Sequence, residues 1–178
     1  GGELFGLPVY KQLADYPDAI DLVVIAVPAE MVPAAASEAV AKKAGAVVVV
    51  ASGFKEAGPE GRALEDELIA ICRRGGVRLL GPNCLGVINT AIRMNASFSR
   101  RIPQAGSMAI FSQSGALCTA MMDIADEREL GVSKAISIGN KADITEVDVL
   151  EALAEDEDTK VIVGYLEDIS DGDRFVKA

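Results

Sequence analysis

Short apolar runs alternate along the chain with longer amphipathic stretches. The runs are continuous and rich in Val, Ile, Leu and Ala, as expected of buried parallel strands, and the stretches between them have the length of helices. In the first half, the predicted elements are strands at 21–28, 46–51 and 77–80 and helices at 33–44 and 59–74. Such β-α-β units with short connections predict right-handed crossovers and a parallel sheet.

The same alternation restarts after a polar stretch, residues 89–105, that has no clear periodicity and is predicted to link two units. The second series consists of predicted strands at 107–111, 133–138 and 160–166 and of predicted helices at 114–130, at 145–154 and from 171 onward. The sequence therefore predicts an α/β protein with two domains, residues 1–104 and 105–178.

Both ends of the sequence are expected to be cut. The chain opens with Gly1-Gly2-Glu3 instead of Met, and a helix is expected to lead from there into the first strand. No glycine-rich strand-turn-helix, the usual opening of a nucleotide-binding α/β unit, precedes that strand. The chain stops at Ala178 inside a predicted helix, so we expect a fragment of a longer protein.

Composition and charge exclude several classes of function. The net charge is −10 with no clustered basic face, so nucleic acid is not an expected partner. No apolar run approaches the ~20 residues that span a bilayer, and no signal peptide is recognisable, so we expect a cytoplasmic protein without a membrane partner. The three cysteines lack metal-site spacing and are predicted to be reduced thiols.

The chain contains no histidine. This excludes, within these residues, a Ser-His-Asp triad, a histidine-ligated metal and a phosphohistidine. No metal site is predicted. Since there is no basic patch either, a phosphate-bearing ligand would have to be held by backbone N–H groups and helix N-termini.

Small and polar residues collect where the predicted strands end. Ligands of open α/β sheets bind beyond the carboxyl ends of the strands, so these residues are expected to form one site. They are Val27-Pro28-Ala29, Ala51-Ser52-Gly53, Gly81-Pro82-Asn83-Cys84, Ser112-Gln113-Ser114-Gly115, Gly139-Asn140-Lys141 and Glu167-Asp168. A purely structural role in turns accounts for any one loop, whereas a ligand accounts better for all of them at one edge.

The turn from Ser112 to Gly115 joins a predicted strand to a predicted helix, so its N–H groups and the helix N-terminus point at one place. This arrangement predicts a phosphate or oxyanion cradle, with simple N-capping by Ser112 or Ser114 as the alternative. In the neighbouring loop, Asn83 offers both donors and acceptors. Cys84 is a poor candidate nucleophile, because no His or Lys lies nearby in sequence to lower its pKa.

Two motifs together resemble a known family. Gly81-Pro-Asn-Cys-Leu-Gly86, followed after the polar stretch by Ile110-Phe-Ser-Gln-Ser-Gly-Ala116, resembles the α-subunit of succinyl-CoA synthetase and, more closely, ADP-forming acetyl-CoA (acyl-CoA) synthetases. Further segments in the family's order are Gly6-Leu-Pro-Val-Tyr10, Val23 to Pro28, Ile138-Gly-Asn-Lys-Ala-Asp143 and Tyr165-Leu-Glu167. The resemblance covers essentially the whole chain.

The resemblance implies a partial Rossmann-like CoA-binding domain, whose glycine-rich loop precedes Gly1, and the start of a flavodoxin-like parallel-sheet ligase domain. In this family an acid, CoA and ATP interconvert with acyl-CoA, ADP and phosphate through a phosphohistidine, here expected past Ala178. ATP, ADP and Mg²⁺ are expected only on an ATP-grasp domain or β-subunit outside this chain, in an oligomeric assembly. These residues alone are expected to be inactive, and the acid is left open.

The resemblance also implies roles for individual residues. Ser112, Ser114 and Gly115 would receive the phosphate, and Glu167 would be the carboxylate that orients the histidine. The residues expected to line the CoA site are Val27, Pro28, Ala29, Val50, Ala51, Ser52 and Asn83.

Two other readings stay open. One is the non-catalytic, ligase-like CoA-binding domain of a protein lysine acetyltransferase, because neither the histidine nor an acetyltransferase domain is visible. The other is an NAD-binding oxidoreductase. No Gly-x-Gly-x-x-Gly occurs, but the region that would carry one is expected to precede Gly1.

Overall fold

The computed structural model describes residues 2–178. Its strands are β1 (Gly2–Leu4), β2 (Leu7–Val9), β3 (Leu22–Ile25), β4 (Ala46–Val49), β5 (Arg78–Leu80), β6 (Gly86–Asn89), β7 (Met94–Ser97), β8 (Ala105–Ser112), β9 (Val132–Ser137) and β10 (Val161–Tyr165). Its α-helices are α1 (Val32–Ala41), α2 (Pro59–Gly75), α3 (Gly115–Glu127), α4 (Glu146–Ala154) and α5 (Gly172–Lys177). The predicted α/β fold is confirmed.

The first sheet has the order β3-β4-β5, and all its strands are parallel. Helix α1 has Pro33 in its first turn, where a missing N–H costs no hydrogen bond. Helix α2 is capped by Gly76, which adopts the left-handed conformation. Val47 and Leu79 of the sheet pack with Leu68 of α2 in a core without solvent exposure. This unit follows the predicted β-α-β order.

The second sheet has the order β10-β8-β9-β6-β7 and is mixed. Its strands β10, β8 and β9 are parallel, while β6 runs antiparallel to both β9 and β7. Residues 89–105 are therefore not simply a linker, since β7 lies within them. The hairpin escaped prediction because its four-residue strands carry Asn and Ser and alternate too briefly. The division into domains 1–104 and 105–178 stays a prediction.

The start of the chain differs from expectation. Instead of a helix, β1 and β2 form an exposed antiparallel hairpin, and only a 3₁₀ turn at Leu13–Asp15 precedes β3. The hairpin turn is Phe5-Gly6, and both residues have positive φ (52° and 80°). Two central residues of positive φ are what a tight hairpin of matching twist requires.

The two sheets meet through apolar side chains and backbone hydrogen bonds. Val48 and Leu80 of the first sheet belong to one buried cluster with Phe111 of the second. The segment before α4 also extends along β5, since the N–H of Ala142 donates to Gly81 O at 3.1 Å and the N–H of Ile144 donates to Leu79 O at 3.0 Å. This junction brings the carboxyl ends of both sheets to one edge.

Within residues 2–178, no helix combines the length and hydrophobicity needed to cross a bilayer.

Candidate functional site

A cavity of about 810 Å³ opens where strands of both sheets end. Six strand-end loops contribute to it, after β4, β5, β7, β8, β9 and β10. Its lining consists of Val50, Ser52, Lys55, Glu56, Asn83, Cys84, Leu85, Phe98, Gln113, Ser114, Gly115, Ala116, Thr119, Gly139, Asn140 and Glu167. Five of the six predicted strand-end loops, all except Val27–Ala29, thus contribute residues to one cavity.

Backbone contacts hold three of these loops together. The N–H of Asn83 donates to Ala51 O at 2.9 Å, and the N–H of Asn140 donates to Pro82 O at 2.9 Å. Gly139 has a φ of +54°, and a Cβ there would lie 2.3 Å from Pro82 O. Only glycine permits both this conformation and this approach, so the loop after β9 sits directly on the loop after β5.

The turn between β8 and α3 has the geometry of an anion cradle. Ser114 is the N-cap, and its Oγ accepts a hydrogen bond of 3.3 Å from the N–H of Leu117. The N–H groups of Gly115 and Ala116 belong to the first helical turn, where N–H groups have no partner within the helix. Capping and anion binding, the two readings of this turn, are therefore compatible, because capping uses a different N–H.

Ser112 lies beneath the cavity instead of lining it. Its side chain is fully buried, accepting from the N–H of Ser114 at 3.1 Å and donating to Ser114 O at 2.6 Å. The predicted direct contact of this hydroxyl with phosphate thus gives way to a role in shaping the turn. Ser114 and Gly115 do line the cavity.

The loop after β10 lies next to this turn because β10 pairs with β8, with Tyr165 opposite Ser112. Gln113 bridges the two loops. Its Oε1 accepts from the N–H of Glu167 at 3.0 Å, and its Nε2 donates to Asp168 Oδ1 at 2.6 Å. Glu167, whose role the family resemblance implies, lies at the rim with its side chain exposed.

Asn140 connects the two halves of the site through its side-chain amide. Its Nδ2 donates to Glu56 Oε2 at 2.6 Å and to Glu65 Oε2 at 2.8 Å, while its Oδ1 accepts from Asn83 at 3.3 Å. Lys55 donates to the backbone oxygen of Asn140. Burial raises the pKa of Glu56, but the hydrogen bonds from Asn140 and from backbone N–H groups outweigh it, so the pKa lies below its usual value.

Charge in the cavity is sparse and mixed. Among the lining residues in the described part of the chain, Lys55 is the only cation, and Glu56 and Glu167 are the carboxylates. Lys55 is engaged with Asn140 and lies 3.7 Å from Glu65. An anionic ligand here would therefore depend on N–H groups and the α3 N-terminus, as the overall charge predicts.

The seven residues predicted to contact CoA fall into two groups. Val50, Ser52 and Asn83 line the cavity. The others do not line it, and these are Val27, Pro28, Ala29 and Ala51. Ala29 packs beside Gly53, where an added Cβ would lie 3.1 Å from the Ala29 Cβ. The segment after β3 therefore supports the Ser52 loop from the side.

Sequence reasoning missed several lining residues. Phe98 follows β7, which was not predicted, so nothing in the sequence connects it to the site. Thr119 is one helical turn after Gly115 and donates to Gly115 O at 3.1 Å. That i, i+4 spacing is the signal that could have identified it.

The cysteines are free and buried. The Cys84 thiol donates to Val49 O at 3.3 Å, and burial raises its pKa to about 12. A thiol with this pKa is neutral at ordinary pH, so Cys84 is no nucleophile although its residue borders the cavity.

A second cavity, of about 850 Å³, lies beside β3 and is bounded by Tyr10, Tyr16, Glu38 and Met94. It contains none of the predicted site residues. Within residues 2–178, no group of three or more Cys, Asp or Glu side chains is arranged to hold a metal ion.

Comparison with known proteins gives two family matches. The model described as a CoA binding domain matches residues 1–90. The model described as a succinyl-CoA ligase like flavodoxin domain matches residues 105–178. Together they cover most of the chain and follow the predicted order.

Individual relatives carry ligase names. Acetate–CoA ligase [ADP-forming] I of Archaeoglobus fulgidus is 47% identical over 98% of this chain and 26% of its own length. The α subunit of acetate–CoA ligase [ADP-forming] I of Pyrococcus furiosus is 41% identical over 95% of this chain and 37% of its own length. The dinucleotide forming acetyl-coenzyme A synthetase 1 of Ca. Korarchaeum cryptofilum, solved with phosphate and ADP, is 38% identical with a TM-score of 0.94, covering 98% of this chain and 38% of that one. The chain thus spans well under half of each relative.

Proposed function

We propose, since the chain belongs to the family of ADP-forming acyl-CoA synthetases, that it supplies the CoA-binding and phosphate-binding part of such an enzyme. The complete protein would convert an acid, CoA and ATP into acyl-CoA, ADP and phosphate through a phosphohistidine. These 178 residues contain no histidine, so that residue and the nucleotide site would come from another part of the enzyme.

One observation carries the proposal. The α3 N-terminus, the loops after β4 and β5 and the rim residue Glu167 face one cavity of about 810 Å³. A cavity of this size accommodates a cofactor portion together with a phosphoryl group. The other large cavity, beside β3, has no comparable convergence of strand ends.

The phosphoryl group would bind at the first turn of α3. The N–H groups of Gly115 and Ala116 would donate to its oxygens, and the helix dipole adds about half a positive charge. Donors fixed by the fold suit a group in transfer, because they need not reorganise as its charge changes. Ser112 and Ser114 would keep the turn in this shape.

CoA would enter beside the phosphoryl group. Val50, Ser52 and Asn83 support this placement because they line the same cavity. Val27, Pro28, Ala29 and Ala51 stay in the proposal as residues of the neighbouring strand ends, with Ala29 beside Gly53. In the proposed enzyme the thiol end of CoA must reach an acyl group activated by phosphate. The short distance between the Asn83 loop and the α3 turn is consistent with that requirement.

Glu167 would orient the histidine supplied from outside these residues. Its backbone is fixed through Gln113, while its side chain is exposed and faces the cavity rim. A carboxylate that accepts from one imidazole nitrogen fixes the tautomer and stabilises the charged ring. The exposed position suits a partner that arrives from another element.

Acetate is the acid we propose first, because the named relatives act on it. An ATP-grasp domain or β-subunit would bind ATP, ADP and Mg²⁺, and the α-subunit name of the Pyrococcus furiosus relative supports such a partner. An oligomeric assembly belongs to the same proposal. A cytoplasmic location stays a prediction, supported by three free thiols, which suit a reducing compartment.

The test uses the full-length protein with acetate, CoA and ATP. Chromatography should show acetyl-CoA and ADP formed together, only when all three substrates are present. AMP and pyrophosphate as products would contradict the proposal. Transfer of acetyl groups to protein lysines without ADP formation would favour the acetyltransferase reading instead.

A further inference from the structure

The ammonium group of Lys141 is buried, and each of its three hydrogens has an acceptor. Its Nζ lies 2.9 Å from Glu146 Oε2, 2.8 Å from Asp168 Oδ1 and 3.0 Å from Asp168 O. These are three acceptors for the three hydrogens of one ammonium. Only 3% of the lysine side chain is exposed, so the contacts are largely removed from solvent.

Glu146 anchors the lysine from the first turn of α4. Its side chain is completely buried, and it also accepts from Ser170 at two atoms, the N–H at 2.5 Å and the Oγ at 3.2 Å. The carboxylate therefore links α4, the loop after β9 and the loop after β10. Removing two charges from water is costly, so the burial of this ion pair does not by itself indicate that the pair stabilises the fold.

These contacts, together with those of Gln113, fix the backbone at Glu167 and in the residues after it. Asp168 is held by Lys141 on one side and by Gln113 Nε2, at 2.6 Å, on the other. Gln113 also accepts from the N–H of Glu167, and Glu146 holds the N–H of Ser170. The segment 167–170 is thus tied to two loops by side-chain contacts, while the Glu167 carboxylate remains free to face the rim.

Lys134 provides a comparison on β9, the strand that precedes the Lys141 loop. It lies near the start of β9 and forms an ion pair of 2.6 Å with Asp156, with 17% of its side chain exposed. That pair also joins β9 to the region of α4, but it lies away from the cavity. Both lysines form ion pairs with carboxylates, but only the Lys141 pair lies next to Glu167.

We propose that Lys141, anchored by Glu146, is the positioning residue that sets the place of Glu167 through Asp168. This inference rests on the function proposed above, in which Glu167 orients the phosphorylated histidine. Lys141 does not touch the reacting atoms. Its loss should lower turnover and leave CoA binding intact, because the Lys141 side chain contacts Glu146 and Asp168 and none of the residues proposed to line the CoA site.

The test measures kcat and KM of the full-length enzyme for Asp168→Ala and for the double variant K141M/E146Q. Asp168 is 65% exposed, so its variant should fold, and the double variant leaves no unpaired buried charge. A misplaced orienting group commonly costs about tenfold to a hundredfold in rate. We expect that loss in kcat, an unchanged KM for CoA, and partial rescue in Lys141→Arg.

Lys134→Met is the matched control and should keep kcat. Folded variants at Asp168 and at Lys141 that keep wild-type kcat would overturn the inference while leaving the proposed function intact. A wild-type protein without ADP-forming activity would instead defeat the proposed function. In that case amide hydrogen exchange at residues 166–170 still tests the positioning role of Lys141. Asp168→Ala and K141M/E146Q should both speed this exchange, and Lys134→Met should not. Unchanged exchange in the site variants would overturn the positioning role.

Discussion

The side-chain amide of Asn140 donates a hydrogen bond of 2.8 Å to Glu65, whose carboxylate is buried in α2. The two residues lie 75 positions apart in sequence, Glu65 in α2 beside the first sheet and Asn140 in the loop after β9 of the second sheet. Asn140 is itself 93% buried, and it binds Glu56 through the same nitrogen. This one side chain therefore couples the loop after β9 to the loop that carries Ser52.

Asn140→Ala should destabilise the 178-residue chain. Two hydrogen bonds to carboxylates would be lost, one of them to the buried Glu65, and their loss costs about 3 kcal/mol in the free energy of unfolding. Urea denaturation followed by circular dichroism measures the change. Asn95→Ala is the control, because Asn95 is exposed and its change should cost no more than about 0.5 kcal/mol. Equal effects at the two positions would show that Asn140 does not couple the sheets.

Glu146→Gln should change how stability depends on pH. Burial raises the pKa of Glu146, but hydrogen bonds from Lys141 and Ser170 outweigh it and hold the pKa below its ordinary value of 4.5. The unfolded carboxyl therefore binds its proton at a higher pH than the folded one. The stabilisation is complete above the unfolded pKa and is lost as pH falls through the folded pKa.

The variant should thus be less stable than the wild type by about 3 kcal/mol at pH 7, and the difference should narrow as the pH falls below 4.5. Urea titrations between pH 7 and pH 3 measure it. Glu151→Gln on the same helix is the control, because Glu151 is half-exposed and pairs only at the surface with Arg174. A difference that stays constant with pH would mean that the Glu146 carboxyl has the same pKa in the folded and in the unfolded protein.

None of the three thiols should react in the folded protein. Burial raises the pKa to about 11 for Cys72 and Cys118 and to about 12 for Cys84, so the reactive thiolate is scarce and shielded. Titration with a disulfide reagent at pH 8 should detect no thiol in buffer and all three in urea. Rapid reaction of one thiol in buffer would disagree with the burial described for that residue.

Gly115→Val should block phosphoryl transfer without disturbing the fold. A Cβ at Gly115 would lie 3.8 Å from the Leu85 Cβ, an ordinary contact, so the added methyl groups would occupy ligand space instead of clashing. Labelling of the full-length protein from radioactive ATP should fall about a hundredfold, because the oxyanion donors would be covered. Gly172→Ala, in open space at α5, is the control and should label normally. Normal labelling of Gly115→Val would move the phosphate away from α3.

The local sequence pattern was sufficient to predict the strands and helices that run through the core and the loops at their ends. Continuous apolar runs predicted β4 and β8, and the Ser112–Gly115 turn predicted the α3 N-terminus, because each signal lies within a few residues. Strand pairing then brought Val50, Asn83 and Gly115 to one cavity, as parallel topology requires.

Contacts between distant polar residues could not be predicted in this way. The bonds from Asn140 to Glu65 and from Lys141 to Asp168 depend on how two sheets dock, and no periodicity encodes them. Phe98 was missed for a related reason, since the short polar strand before it has too weak a pattern to place it. The sequence therefore identified the loops of the site better than the network that holds them.

Amide hydrogen exchange of the full-length protein, with and without saturating CoA and phosphate, tests the location of the site most directly. The two large cavities have similar volumes, about 810 Å³ at the strand ends and about 850 Å³ beside β3, so the measurement discriminates between them. Ligand should slow exchange at residues 50–53, 83–85 and 113–117. Slowing confined to residues 10–24, which border the cavity beside β3, would contradict the placement of CoA and phosphate at the joined strand ends.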